Sequence, residues 1–591
     1  VSLRGGPAVL ARHATLCEAL DRAAESDRGV TFVDLAERET HHPWSAVASR
    51  AREVAAGLRE AGVAAGDRVA LLLRTGPAFL ECFYGALYAG AVPVPLYPPV
   101  RLGRLDDYHA ATAAMLRRVE AAMVVSETPL SRLLGPSLER ARPRLGLRLH
   151  GSLHGAGSHH AAVDPDALAL IQFSSGSTVD PKPVCLTHRQ LQIHVATLMQ
   201  IVDPTPEDLY VSWLPLYHDM GLIGALLTTV DYPGPLVLIP PEVFLAKPLL
   251  WLRALSRHHG TISGAPNFAY GLCLKRIPEP EIVGLDLSRW RLAFNGAEPI
   301  SAEIARRFLA RLAPAGLRPE ALRPVYGLSE AALALTFPPA RTELRILRVD
   351  GQRLAADGTL HEAAAESGAR ELVSVGPPIP GVDLSLRDAR GAELPEGRVG
   401  RIFARGPSLL RGYFGDTTAG TLVDGWLDTG DLGVAFEGEA YIVGRAKDLV
   451  IVRGANHPPQ EFEDCLEGLP GLRAGCAVAL GFVPERPVGE DQDGEELLLL
   501  AEWSEPPEKP EALIALIRTV VLGRTALCPH TIELLAPGTL PRTSSGKLRR
   551  SEALRLYQAG ALRPPREVTP LRLIGAMAQS ALAYARLKLG R

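Results

Sequence analysis

No stretch of this 591-residue chain approaches 18 uninterrupted apolar residues, so a membrane-spanning helix is not expected. The opening VSLRGGPAVLARHATL carries arginines but lacks the continuous apolar segment of a secretory leader, so export is not expected either. Cysteine is scarce: the seven (Cys17, Cys82, Cys185, Cys273, Cys465, Cys476, Cys528) are scattered, odd in number and form no CxxC pair. That pattern fits free thiols in a reducing cytoplasm. The paired histidines His41-His42, His159-His160 and His258-His259 have no HExxH-like spacing, and no structural metal is expected. Charge of one sign is nowhere concentrated. The formal net charge is −3, with arginines and carboxylates interspersed, so bulk charge does not draw the chain to nucleic acid. GxxxxGK[ST] is also missing, which argues against a P-loop nucleotidase.

What is present is material for a large folded protein, with 47% hydrophobic and 22% charged residues over a length that suits two to four structural units. From Trp44 to Gly62, Val47, Ala51, Val54, Ala55 and Leu58 recur at helical spacing, and RVALLL follows as a strand. Ala78 to Gly90 and then Ala91 to Leu96 repeat the step, and strands are expected at 168–173, 209–213, 236–239 and 291–294. This alternation predicts an α/β fold with helices covering parallel sheets. The stretch from Pro235 to Leu252, broken by Pro240, Pro241 and Pro248, reads as buried strand plus turn. After about residue 372, short strands and glycine turns predict a β-rich subdomain over about 373–444. The expected organisation is a large N-terminal domain, 1–444, of layered α/β sheets plus that subdomain, and a small mobile α+β domain, 445–591. The second should hold strands at 449–452, 476–480 and 497–502 and a helix over 510–522; the tail beyond Pro564 reads only as a helix.

The chemistry concentrates first in Phe173-Ser174-Ser175-Gly176-Ser177-Thr178-Val179-Asp180-Pro181-Lys182, directly after an apolar strand. Glycine and small hydroxyl residues leave backbone N–H groups open, and hydroxyls plus a lysine add donors, which makes a phosphate cradle. Further on come SWLPLYHDMG (212–221), NGAEP (295–299), YGLSE (326–330), GWLDTGD (425–431), GRAKD (444–448) and TSSGK (543–547). Their order and spacing resemble the adenylate-forming superfamily of acyl-CoA synthetases, nonribosomal-peptide adenylation domains and luciferases, from about Thr15 to Tyr557. VPVPLYPP at 92–99, SWLPLYHDMGL and GANHPPQEFE look most like fatty acyl-AMP ligases.

The resemblance implies ATP and Mg²⁺ as cofactors and a role for each matching residue. Ser174, Ser175, Gly176, Ser177, Thr178 and Lys182 would cradle phosphates. Tyr326, followed by Gly327, would lie on adenine, whose edge meets Asn295, Gly296 and Ala297. Asp431 would accept from the ribose hydroxyls and Arg445 donate from the far side. Glu330 would hold Mg²⁺, a hard cation suited to a carboxylate, and Ser329 would donate to a phosphate. His218 would orient the acid's carboxylate, and Lys547 would bridge carboxylate and α-phosphate. Lys447 would be the hinge of the small domain.

The implied reaction is activation of a fatty acid to acyl-AMP, followed by transfer to the phosphopantetheine thiol of an acyl carrier protein acting in trans. An insertion over Arg341–Leu372 would restrain the small domain from the pose used with CoA. Two alternatives stand beside this: a CoA ligase of the same fold, and a silent homologue that binds nucleotide or acyl ligand. The second is motivated by Val179 and Pro183, which replace family glycines and would stiffen the loop.

Overall fold

The computed structural model describes residues 2–99, 102–155, 163–174, 181–363, 369–416, 421–452, 454–484, 495–543, 546–566 and 568–589. Trp44–Glu60 and Pro77–Tyr88 are the two expected helices, the second opened by a proline where the helix needs no N–H donor. The strand between them, Arg68–Leu72, lies in a four-stranded parallel sheet flanked by Val92–Pro95 and Met123–Ser126, with Leu147–Leu149 outermost.

A seven-stranded sheet runs in the order Leu322–Pro324, Leu292–Gly296, Ile262–Pro266, Tyr210–Ser212, Leu236–Leu238, Gly29–Val33, Glu39–Pro43. All neighbours are parallel except the last pair, an antiparallel hairpin. Its inner strands are almost wholly buried, as sheets covered on both faces require. The stretch Pro235–Leu252 departs from the expected strand plus turn. After Leu236–Leu238 come two helices, Pro241–Ala246 and Leu249–Arg257. Pro240 and Pro248 sit at their N-caps and Pro241 at the first turn, so the prolines start helices there and do not interrupt them.

The β-rich region is a six-stranded antiparallel sheet of Asp383–Arg387, Gly400–Arg405, Leu422–Val423, Trp426–Phe436 and Glu439–Arg445, with Ser2–Arg4 from the start of the chain as an edge. Ala369–Val373 stays outside it and pairs antiparallel with Ile346–Asp350, the two connected through the helix Gly351–Asp357. Past Arg445 a hairpin (Val450–Val452, Ala455–His457) precedes a three-stranded sheet of Leu472–Phe482, Glu496–Trp503 and Thr531–Leu535. The helices Pro510–Thr525 and Arg550–Gln558 contribute to two small cores on this sheet, one around Val452, Leu499 and Ile517 and one around Val478, Leu500 and Ala553. The last helix, Pro570–Leu589, leaves this unit and packs on Gly135–Ala141. Among the described residues no helix is long and apolar enough to cross a membrane.

Candidate active site

The C-terminal ends of the seven-stranded sheet open into a cleft of about 2600 Å³, bounded by the antiparallel sheet and by the unit past Arg445. Strand ends of a parallel sheet are where such folds gather ligand groups, because the chain must leave the sheet there in loops. Asn295 and Gly296 close the strand Leu292–Gly296, and Ala297 follows in a left-handed conformation (φ 68°). Buried Asn295 donates through Nδ2 to Asn267 Oδ1 (3.3 Å), while its own Oδ1 has no hydrogen-bond partner among the described residues.

Tyr326 and Gly327 leave the neighbouring strand as a short ladder against Ala334–Thr336. The Tyr326 hydroxyl donates to Asp431 Oδ2 at 2.8 Å, and Arg445 Nε lies 3.0 Å from Asp431 Oδ1. Asp431 and Arg445 face each other across the strand pair Trp426–Phe436 and Glu439–Arg445, so the sheet register itself sets this contact. Burial raises the Asp431 carboxyl above its ordinary range, against the pull of Arg445 and Tyr326.

A second cluster forms around Asp219, to which the sequence reasoning attaches no role although it stands beside His218 in the quoted stretch. His218 Nδ1 lies 2.6 Å from Asp219 Oδ1, and Ser329 Oγ donates to Asp219 Oδ2 at 2.5 Å. Burial opposes the charge on Asp219, but His218, Ser329 and Lys547 outweigh it and hold the carboxyl well below its usual range. Glu330, in the turn Ser329–Ala331, accepts from the Tyr413 hydroxyl (3.1 Å), and burial raises its carboxyl. Lys182 Nζ sits 4.7 Å from the Tyr413 ring centroid. Tyr413 carries no sequence signal; it reaches the site only through the fold.

The phosphate loop closes at its base, where Ser174 N donates to Lys182 O (2.9 Å). Pro183 is the first residue of the strand Pro183–Thr187 and pairs with Phe173, a strand-start position that tolerates proline. Ser175, Gly176, Ser177, Thr178 and Val179 lie outside the described residues.

Lys547 enters from the far unit. Its loop is closed by Thr543 N donating to Lys547 O (2.8 Å) and Lys547 N donating to Thr543 Oγ1 (3.1 Å). Burial lowers the ammonium's pKa, while Asp219, Glu298 and Asp431 pull it up and Arg445 repels it. Glu298, also without a role in the sequence reasoning, accepts from Phe268 N (2.5 Å). The structure thus brings His218, Tyr326, Ser329, Asp431, Arg445 and Lys547 around one space. Lys447, exposed in the turn Ala446–Asp448, also lines the cleft, near Lys182, Asp431 and Arg445. The lining of the cleft also includes the apolar side chains Leu198, Met199, Val202, Phe294, Leu333 and Phe337.

The profile of AMP-binding enzymes matches residues 20–414. A putative acyl-CoA synthetase of Caulobacter vibrioides is 35% identical over 559 residues, covering 92% of this chain and 96% of that protein. The long-chain-fatty-acid–AMP ligase FadD32 of Mycolicibacterium smegmatis is 33% identical over 567 residues (88% and 89%), and the medium-chain-fatty-acid–[acyl-carrier-protein] ligase JamA of Moorena producens 30% over 560 (90% and 93%). A structure from work on fatty acyl-adenylate ligases of E. coli and L. pneumophila superposes with TM-score 0.87 at 34% identity, covering 94% of this chain and 99% of that one. The chain belongs to the AMP-binding enzyme family and is an adenylate-forming ligase.

Proposed function

We propose that the enzyme joins a fatty acid to AMP and then passes the acyl group to the phosphopantetheine thiol of a separate acyl carrier protein. The observation that carries this is that Lys547, within the field of the Asp219, Glu298 and Asp431 carboxylates, lines the same cleft as the apolar side chains Leu198, Met199, Val202, Phe294, Leu333 and Phe337. A carboxylate head would meet concentrated positive charge there while its chain leaves water. A carboxylate oxygen attacks the α-phosphorus, the new P–O bond forms as the bond to the bridging oxygen breaks, and pyrophosphate departs with no net proton transfer. His218, held by Asp219, orients the carboxylate, and Lys547 balances charge on the α-phosphate. Tyr326 with Asn295, Gly296 and Ala297 takes the base, Asp431 and Arg445 the ribose, and Ser174, Lys182 and the loop between them the phosphates.

Among the described residues no cluster of three or more acidic, His or Cys side chains could hold a metal alone. A single carboxylate in a site that also takes phosphates fits Mg²⁺, which is commonly held by one or two carboxylates and the substrate's own oxygens. Glu330 would hold the ion, which when bound neutralises phosphate charge.

The small unit, bounded at 445–591 from the sequence, turns on the larger, 1–444, at Lys447, so that Arg445, the last residue of the strand Glu439–Arg445, stays with the larger. The Arg341–Leu372 insertion favours the carrier over CoA. Its helix Gly351–Asp357 lies against the strand Ala455–His457, and Val349, Leu354 and Leu372 share a core with Val434, Tyr441 and Val443. A segment wedged at the hinge biases a two-state domain equilibrium, for which a few kcal/mol is enough. The CoA-ligase reading is favoured instead by the name of the Caulobacter relative.

The test is acid-dependent exchange of pyrophosphate into ATP over a panel of carboxylic acids, then product analysis with CoA or a holo-carrier. Exchange with medium or long fatty acids and transfer to the carrier are expected. ATP binding without exchange on any acid would leave a silent homologue, and efficient acyl-CoA formation would make the enzyme a CoA ligase.

A further inference from the structure

The helix Pro570–Leu589 belongs by sequence to the unit that carries Lys547, yet it packs on Gly135–Ala141 beside the four-stranded sheet. Ser580 is fully buried there, its Oγ accepting from Gly135 N at 2.8 Å. A Cβ at residue 135 would meet Ser580 O at 2.2 Å, so the contact needs glycine. Ala583 is 2% exposed, Tyr584 OH donates to Ser131 O at 2.8 Å, and Arg586 lies 3.4 Å from Glu139. Tyr584 and Leu587 pack into the core around Leu116, Leu134 and Leu138 that belongs to the four-stranded sheet. The contact is interior at Ser580 and Ala583, while Leu571, Ile574 and Leu582 on the same helix stay exposed.

The segment leading to this helix is stitched down as well. Arg566 N donates to Gly103 O (3.2 Å). One guanidinium nitrogen of Arg104 donates to three carbonyls of the far unit: Gly538 (3.2 Å), Thr539 (3.0 Å) and Arg563 (3.0 Å). Thr539 stands four residues before Thr543, whose backbone closes the Lys547 loop. The same linker that ends in the docked helix therefore shares its anchor, Arg104, with the segment that presents the lysine.

We propose that Pro570–Leu589 is a strap: by docking on Gly135–Ala141 it holds the Lys547 unit against the nucleotide side and restricts its departure. The inference rests on the adenylating role given to Lys547. Between Gln558 and Pro570 the chain has 11 residues, which fully extended span at most roughly 36–40 Å. With the helix docked, the small unit can move only within that tether; with it undocked, the limit disappears. Arg104 shortens the working tether further, because it pins Arg563, midway along.

The experiment uses the full chain with substitutions on both partners, Ser580→Arg on the helix and Gly135→Ala on its seat, with Tyr584→Phe as a milder variant that removes one hydrogen bond. Hydrogen exchange is followed at residues 570–589 and 536–548, and pyrophosphate exchange is measured in parallel. In Ser580→Arg and Gly135→Ala, amides of the helix should exchange at least tenfold faster, those of 536–548 severalfold faster, and pyrophosphate exchange should fall at least threefold with ATP affinity unchanged. Arg104→Ala should loosen 536–548 while the helix stays protected. Loss of helix protection with 536–548 unmoved would overturn the strap, and so would unchanged helix protection in both variants. If either variant fails to fold, Tyr584→Phe with Arg104→Ala carries the same reading. The hydrogen-exchange arm reports the strap whether or not any acid is activated, so failure of the fatty-acid reading is seen separately as absent pyrophosphate exchange in the unsubstituted enzyme.

Discussion

The two walls of the cleft are built on different principles. On one, Tyr326, Asp431 and Arg445 hold one another through contacts at 2.8 and 3.0 Å fixed by sheet register. On the other, Lys547 is presented by a loop closed on Thr543, in a unit that has its own separate cores. The first wall is preorganised with or without its opposite; the second depends on how the units dock. Binding and chemistry should therefore separate under mutation.

The largest effect is expected at the docked wall. Lys547→Ala should lower pyrophosphate exchange by about 10²–10³ while ATP affinity stays within a few fold, because a contact made to developing charge affects rate more than binding. Near-normal turnover would erase the contrast. At the preorganised wall, Asp431→Asn removes the charged acceptor of Tyr326 and the partner of Arg445. A hydrogen bond to a charged group is worth about 1.5–3 kcal/mol, so ATP affinity measured by calorimetry should fall by about 10- to 100-fold. An effect confined to the rate would mean that this wall also serves the chemical step. Glu330→Gln should raise the Mg²⁺ concentration for half-maximal exchange, on the order of tenfold or less because the phosphates retain most of the ion's ligands. An unchanged titration would remove Glu330 as the ligand.

The smallest effect tests the seam between the units. Burial, aided by Glu463 and Glu467 and opposed by Arg370 and Arg550, raises the Asp464 carboxyl to about 7. A carboxyl with a folded-state pKa above its unfolded value stabilises the fold while protonated. That contribution is complete below about pH 4 and is lost as pH rises toward 7. Asp464→Asn should thus melt about 2–4 °C higher than the unsubstituted enzyme at pH 8, a gain of about 1 kcal/mol, with the gap shrinking toward pH 5. An equal gap at both pH values would rule out titration of Asp464.

Strongly periodic elements were legible in the chain to within one to three residues at their ends: Trp44–Glu60 and Arg68–Leu72 are slightly shorter than the patterns predict, and Pro510–Thr525 is three residues longer. Local rules failed where position within an element decides the outcome. Prolines 240, 241 and 248 look like turn signals until it is known that they stand at helix starts. The site divides in the same way. Residues carried by distinctive short strings, such as Tyr326, Asp431 and Lys547, could be named in advance. Tyr413 and Asn267 could not, since they matter through contacts with Glu330 and Asn295 that join segments 83 and 28 residues apart. Asp219 and Glu298 lay inside the quoted strings, but their use appears only when Lys547 is set beside them.

The edge strand Ser2–Arg4 pairs with Asp383–Leu384–Ser385, and Ser2 Oγ also donates to Glu393 Oε1 at 2.7 Å. During synthesis at roughly 5–20 residues per second, Ser2 precedes its partner by about 20–75 s. For that interval the antiparallel sheet lacks one side while the parallel layers between them are already being assembled. Joining ends so far apart in sequence is a slow, high-contact-order event. Closure of this edge therefore belongs among the last steps of folding, and it ties Ser2–Arg4 to a sheet that also carries Asp431.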